Sequence, residues 1–118
     1  MRSMLSACAA LAFATATPAM AELSKVESAA EFKRLINGKT LSRPLVKLTV
    51  GTNGQIAGRG AAWPVSGSWT WKGGYFCRSL EWGGDDLGYN CMEIRASGDT
   101  IRFTSDEGRG QSADFSLR

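Results

Sequence analysis

Histidine does not occur in this 118-residue chain. Its absence removes the usual proton shuttle near neutral pH and the commonest ligand of transition metals. It also removes the base from any Ser–His or Cys–His nucleophile pair. Runs of like charge are missing too, so nothing points to nucleic acid or to an anionic membrane surface. Beyond residue 21 no stretch is long and apolar enough to span a membrane as a helix. The acidic pairs Asp85-Asp86 and Asp106-Glu107 lack the alternating oxygen-ligand spacing of a calcium loop, and read as solvated turns. The glycine run Gly58-x-Gly60 reaches Trp63 where a dinucleotide fingerprint needs glycine, and it lies between strands rather than before a helix. No metal and no cofactor is therefore expected.

What is present begins with an address. Arg2 precedes an apolar stretch of small residues from Leu5 to Thr17, Pro18 breaks it, and Ala19-Met20-Ala21 forms an A-x-A site. That is the layout of a secretory signal peptide cleaved between Ala21 and Glu22. Leu5-Ser6-Ala7-Cys8 has the look of a lipoprotein box, but most of the apolar segment follows Cys8 instead of preceding it. The expected product is periplasmic or secreted.

Residues 22–118, 97 in number, make one domain with one core. They carry 13 basic and 11 acidic side chains, scattered along the chain. Of the three cysteines, Cys8 leaves with the leader. Cys77 and Cys91 remain as an even pair in an oxidising compartment, which reads as a disulfide.

A helix over 28–37 is predicted by the capping-box spacing of Ser28 and Glu31, by the apolar stripe Ala29, Phe32, Leu35 and Ile36, and by the stop at Asn37-Gly38. After Gly38 the hydrophobic period changes to 2. Strands are expected near 40–43, 45–51, 55–62, 67–72, 75–82, 89–96, 100–105 and 112–117. The turns set the registers. Gly73-Gly74 pairs Lys72 with Tyr75, Trp71 with Phe76 and Trp69 with Arg78. Gly98-Asp99 pairs Ala96 with Ile101 and Ile94 with Phe103. A three-residue loop at Thr52-Asn53-Gly54 sets Val50 opposite Ile56. A loop centred on Arg109 would pair Phe103 with Phe115 and Ile101 with Leu117. The midpoint of Cys77 and Cys91 falls within Gly83-Gly84-Asp85-Asp86, so a hairpin there puts the cysteines opposite each other, Phe76 opposite Met92 and Arg78 opposite Asn90.

One face then carries Trp69, Trp71, Phe76, Leu80, Met92, Ile94, Ile101, Phe103, Phe115 and Leu117, with Arg78 among them. The expected fold is all-β: a small antiparallel up-and-down barrel or rolled sheet of about eight strands, its end or side covered by the short N-terminal helix.

Two groups of residues stand out. Arg78 opposite Trp69 could form a cation–π contact worth about 0.5–2 kcal/mol. Its role is either to close the barrel end or to bind the anionic end of a ligand. Trp63 and Trp82 fall at strand ends near turns, where they act either as lids or as a partner-binding surface. No catalytic residue is identified.

Gly67-Ser68-Trp69 resembles the G-x-W element of lipocalin barrels, in which an arginine also packs across the tryptophan. There the motif opens the first strand, whereas here about three strands precede it. The runs Gly67–Ser79, Trp82–Cys91 and Ile101–Asp106 resemble a family of small exported bacterial β-proteins of unknown function. Members of that family are sometimes labelled dihydrodipicolinate reductase. Such a reductase is a much larger cytoplasmic enzyme with a nucleotide-binding fingerprint, and this chain has neither that length nor the fingerprint. The reading that follows is a non-catalytic exported barrel that acts as a protein-binding or inhibitor-like module toward another exported protein. A small-ligand carrier of lipocalin type is the alternative, and an enzyme the remote one.

Overall fold

The computed structural model describes residues 22–118; the leader, Ala21 and the expected cleavage site lie outside the described residues. Helix α1 runs Ala29–Ile36. Ser28 caps it by accepting from the Glu31 backbone N–H at 3.1 Å, and Glu31 in turn accepts from the Glu27 N–H at 3.2 Å. Phe32 and Ile36, four apart, lie on one face of the helix and are buried.

Nine strands follow the same chain order: β1 Ser24–Lys25, β2 Leu41–Arg43, β3 Val46–Val50, β4 Gln55–Gly60, β5 Trp63–Lys72, β6 Tyr75–Trp82, β7 Asp85–Ser97, β8 Thr100–Thr104 and β9 Ser112–Leu117. From β2 to β9 each strand pairs antiparallel with the next, and β9 returns to pair with β2. The result is a closed eight-stranded barrel, a form of sheet with no exposed edge at its seam. The two-residue β1 is an addition, pairing with Arg95 and Ala96 of β7.

The turn-derived registers hold at four hairpins. Trp69 pairs with Arg78, Trp71 with Phe76, Ile94 with Phe103, Ala96 with Ile101, and Val50 with Ile56. Cys77 pairs with Cys91 and the two are bonded. Their alignment needs two features together. Gly83-Gly84 makes a two-residue turn, both glycines at positive φ, with Trp82 opposite Asp85. One extra residue, Leu87, then shifts the register, so that Leu80 faces Gly88 and every later pair moves into line.

The last hairpin departs from expectation. Phe103 faces Ala113 and Ile101 faces Phe115, two residues away from the expected pairs Phe103–Phe115 and Ile101–Leu117. The cause is the connection from Ser105 to Gln111. Asp106 and Glu107 adopt left-handed φ of 56° and 57°, Ser105 N–H donates to Gln111 O, and Gly110 N–H donates to Ser105 O. Asn90 of β7 fixes the bend, donating to the Asp106 carboxylate at 2.8 Å and accepting from the Asp106 N–H at 2.9 Å. Phe103 and Phe115 still meet, edge to face at 5.6 Å, as diagonal neighbours. Strands β5 and β7 also run longer than expected, β5 beginning at Trp63 rather than 67 and β7 at Asp85 rather than 89.

Candidate binding cavity

Inward-facing side chains fill the barrel in two parts. At the end that holds Asn53, Gly73-Gly74 and Gly98, α1 acts as a plug. Phe32 is wholly buried, with ring centroids 5.1 Å from Trp69, 5.4 Å from Trp71, 5.1 Å from Phe76 and 6.4 Å from Phe103. Trp69 is held in this layer by its indole N–H, which donates to Gly51 O at 2.9 Å.

Beyond Phe76 and Phe103, away from the helix, packing is incomplete. A cavity of about 150 Å³ remains, lined among others by Leu41, Leu48, Ile56, Met92, Ala113 and Phe115. Leu48, Leu80, Met92 and Phe115 face inward yet keep partial exposure, so the barrel is open at this end. Two inward-facing glycines bring the walls close together here. A Cβ on Gly67 would meet Ser79 O and the Leu80 side chain, and one on Gly58 would meet Lys47 O and Leu48. The leucine of the neighbouring strand covers each glycine, so the glycines serve packing and the cavity stays small.

Among the described residues lining this cavity, Arg78 alone is charged. Its Nη1 donates to Gly88 O at 3.0 Å. Partial burial pushes its pKa below the usual arginine value. No carboxylate lies within 4.0 Å of it among the described residues. Asn90, its register partner, is committed to Asp106.

Arg78 and Trp69 are cross-strand partners, as the Gly73-Gly74 turn implies. The cation–π contacts among the described residues are others: Lys25 over Tyr75, Arg43 over Phe115 and Lys72 over Tyr89. The guanidinium of Arg78 instead extends along β7 to Gly88 while the Trp69 indole packs on Phe32, so the two heads part.

Trp63 and Trp82 stand together at the open rim, edge to face at 5.7 Å, and Trp82 Nε1 donates to Gly60 O at 2.8 Å. Neither lines the cavity. Trp63 is 53% exposed, and Leu45, on the adjoining β2–β3 turn, is 79% exposed. Cys77–Cys91 joins β6 to β7 on their outer face, the Tyr89 hydroxyl 3.6 Å from Cys91 Sγ.

The remaining charges sit mainly on the outer wall. Arg102 donates twice to Asp114, at 2.6 and 3.0 Å, and Arg95 donates to Glu93 at 2.7 Å. The hydrogen bond from Arg102 holds the Asp114 carboxyl below its usual range. Asp85 and Asp86 are exposed at the β6–β7 turn, where Asp86 accepts from Gly88 N–H at 2.7 Å. No group of three or more His, Cys, Asp or Glu comes together among the described residues. No helix among them is long and apolar enough to cross a membrane.

Parity alone placed Arg78 inside. It could not reveal the void beside it, which depends on the glycine positions and on how far α1 enters. No protein-family model, curated protein or solved structure matches this chain.

Proposed function

We propose that this protein is an exported, non-catalytic barrel that takes up a small apolar molecule in its open half. The reading rests on one observation: an apolar cavity of about 150 Å³ in a barrel whose other half is closely packed. The cavity opens at the rim, so water meets its apolar wall, and an apolar occupant that displaces that water gains the transfer energy of the surface it covers. An engineered apolar cavity of about this volume in another protein binds benzene, which sets the size of the occupant. The Cys77–Cys91 disulfide goes with an oxidising compartment, and the resemblance to small exported bacterial proteins goes with the same location.

Toluene is a suitable neutral probe. Amide and methyl NMR shifts on its addition should move at Leu48, Met92, Phe103 and Phe115, and stay still on the outer wall. Ala113→Phe, which puts a ring into the space opposite Phe103, should abolish the response while the barrel's circular dichroism is retained. A toluene response that is absent, or confined to the outer wall, refutes the reading.

A second reading, a contact surface for another exported protein, draws on the exposed side chains Leu45, Trp63 and Leu87 at the same end. A partner seated there would also cover the cavity mouth, so the two readings are compatible.

A further inference from the structure

We infer that the cavity is selective for a small monoanion with an apolar tail of about six carbons, a short-chain or aromatic carboxylate, whose head is read by Arg78. The inference rests on the carrier reading above and adds the chemistry of the ligand to it.

Three observations converge. First, Arg78 is the charged residue in an otherwise apolar lining. A guanidinium has five N–H donors in a planar fork suited to a carboxylate. Among the described residues one hydrogen bond engages it, from Nη1 to Gly88 O.

Second, Arg78 is half-buried at the open end of the barrel, and partial loss of water around a charge favours a counter-charge there. Among the described residues no carboxylate lies within 4.0 Å of it, and Asp86, beside its partner Gly88, accepts from the Gly88 N–H instead. Burial has already lowered the pKa of Arg78, and an anion at the mouth would restore what burial removed.

Third, the volume limits the tail. About 150 Å³ holds one six-membered ring or a chain of similar bulk. Long-chain lipids would leave most of their length in water. Phenylacetate meets both requirements, its ring in the cavity and its carboxylate at Arg78. It shares its skeleton with the neutral alcohol 2-phenylethanol, which isolates the contribution of the charge.

The test is calorimetric titration of the folded, disulfide-bonded protein with phenylacetate and with 2-phenylethanol. At pH 7 phenylacetate should bind about tenfold or more tightly than the alcohol, the range expected for a charge-assisted hydrogen bond to a partly desolvated arginine. Arg78→Met should bring the ratio close to one, and Arg78→Lys should recover part of it. Within the straight-chain carboxylates, affinity should stop rising beyond about six carbons. Circular dichroism and the intact disulfide establish that each variant is folded.

If the alcohol and the acid bind equally, the cavity reading stands and the inference fails. If neither binds and toluene does not bind, both fail. If the preference for the anion survives in Arg78→Met, the anion is read elsewhere and the inference fails. Affinity that keeps rising up to dodecanoate overturns the size limit.

Discussion

Replacing Phe32 by alanine should remove the keystone of the closed end. The ring is 0% exposed and meets Trp69, Trp71, Phe76 and Phe103 at 5.1–6.4 Å. Deleting a buried phenylalanine side chain costs about 3–5 kcal/mol through lost transfer energy and the cavity left behind. Two features place this site toward the upper part of that range. The surrounding rings belong to three strands of a closed barrel, β5, β6 and β8, which cannot collapse freely onto the gap. The helix carrying Phe32 has eight residues, too short to persist without its tertiary contacts. We therefore expect a loss of about 4 kcal/mol, a large part of the roughly 5–15 kcal/mol typical of a domain. The melting temperature should fall by roughly 15–30 °C for a chain of this size. Urea unfolding followed by near-ultraviolet circular dichroism, which reports Trp69 and Trp71, gives the number; Phe32→Leu, which keeps most of the volume, should lose less than about 1.5 kcal/mol. A loss below about 1 kcal/mol for Phe32→Ala, with the aromatic signal unchanged, would mean that the helix is not the plug described.

Replacing both Cys77 and Cys91 by alanine opens a loop closed at a sequence separation of 14, and should cost about 3 kcal/mol on the chain-entropy model. Equal urea midpoints for the two proteins under oxidising conditions would contradict that value. The Asp114 carboxyl, held down by the hydrogen bond from Arg102, should titrate below its usual range, and in Arg102→Gln it should titrate higher. Because the folded pKa is the depressed one, this pair contributes its stability above the ordinary carboxylate pKa and loses it as pH falls through the folded value. Both groups are exposed, so the effect on unfolding will be small, and carboxyl NMR titration is the measurement to use.

Much of the barrel was legible because its turns are short and glycine-marked. A two-residue turn such as Gly73-Gly74 leaves one register, and Trp69, Arg78, Phe76 and Met92 then fall into place by alternation. The Cys77–Cys91 pair was readable from its midpoint alone, although the alignment is the joint product of the Gly83-Gly84 turn and the extra residue at Leu87. The β8–β9 register was not readable, because it is fixed by Asn90, 16 residues from Asp106, and a long-range hydrogen bond leaves no periodic trace. Strand β1 was missed for a similar reason. Two residues show no alternation, and what anchors them is burial of Val26 and the bond from its N–H to Ile94 O. For the site, sequence supplied an inward arginine within an apolar face. It gave Arg78 a partner in Trp69, whereas the guanidinium turns to Gly88 on β7. The residues that set the size of that space, Ala113 opposite Phe103 and the glycines covered by Leu48 and Leu80, mean nothing until the strands are closed into a barrel.

A crystal structure of the disulfide-bonded protein under xenon pressure tests the central claim most directly, because xenon seeks apolar voids of this size. The account predicts one strong site inside the barrel, between Leu48, Met92, Phe103 and Phe115 on the side away from α1. A barrel whose interior holds no xenon, or whose side chains close the space entirely, would contradict it.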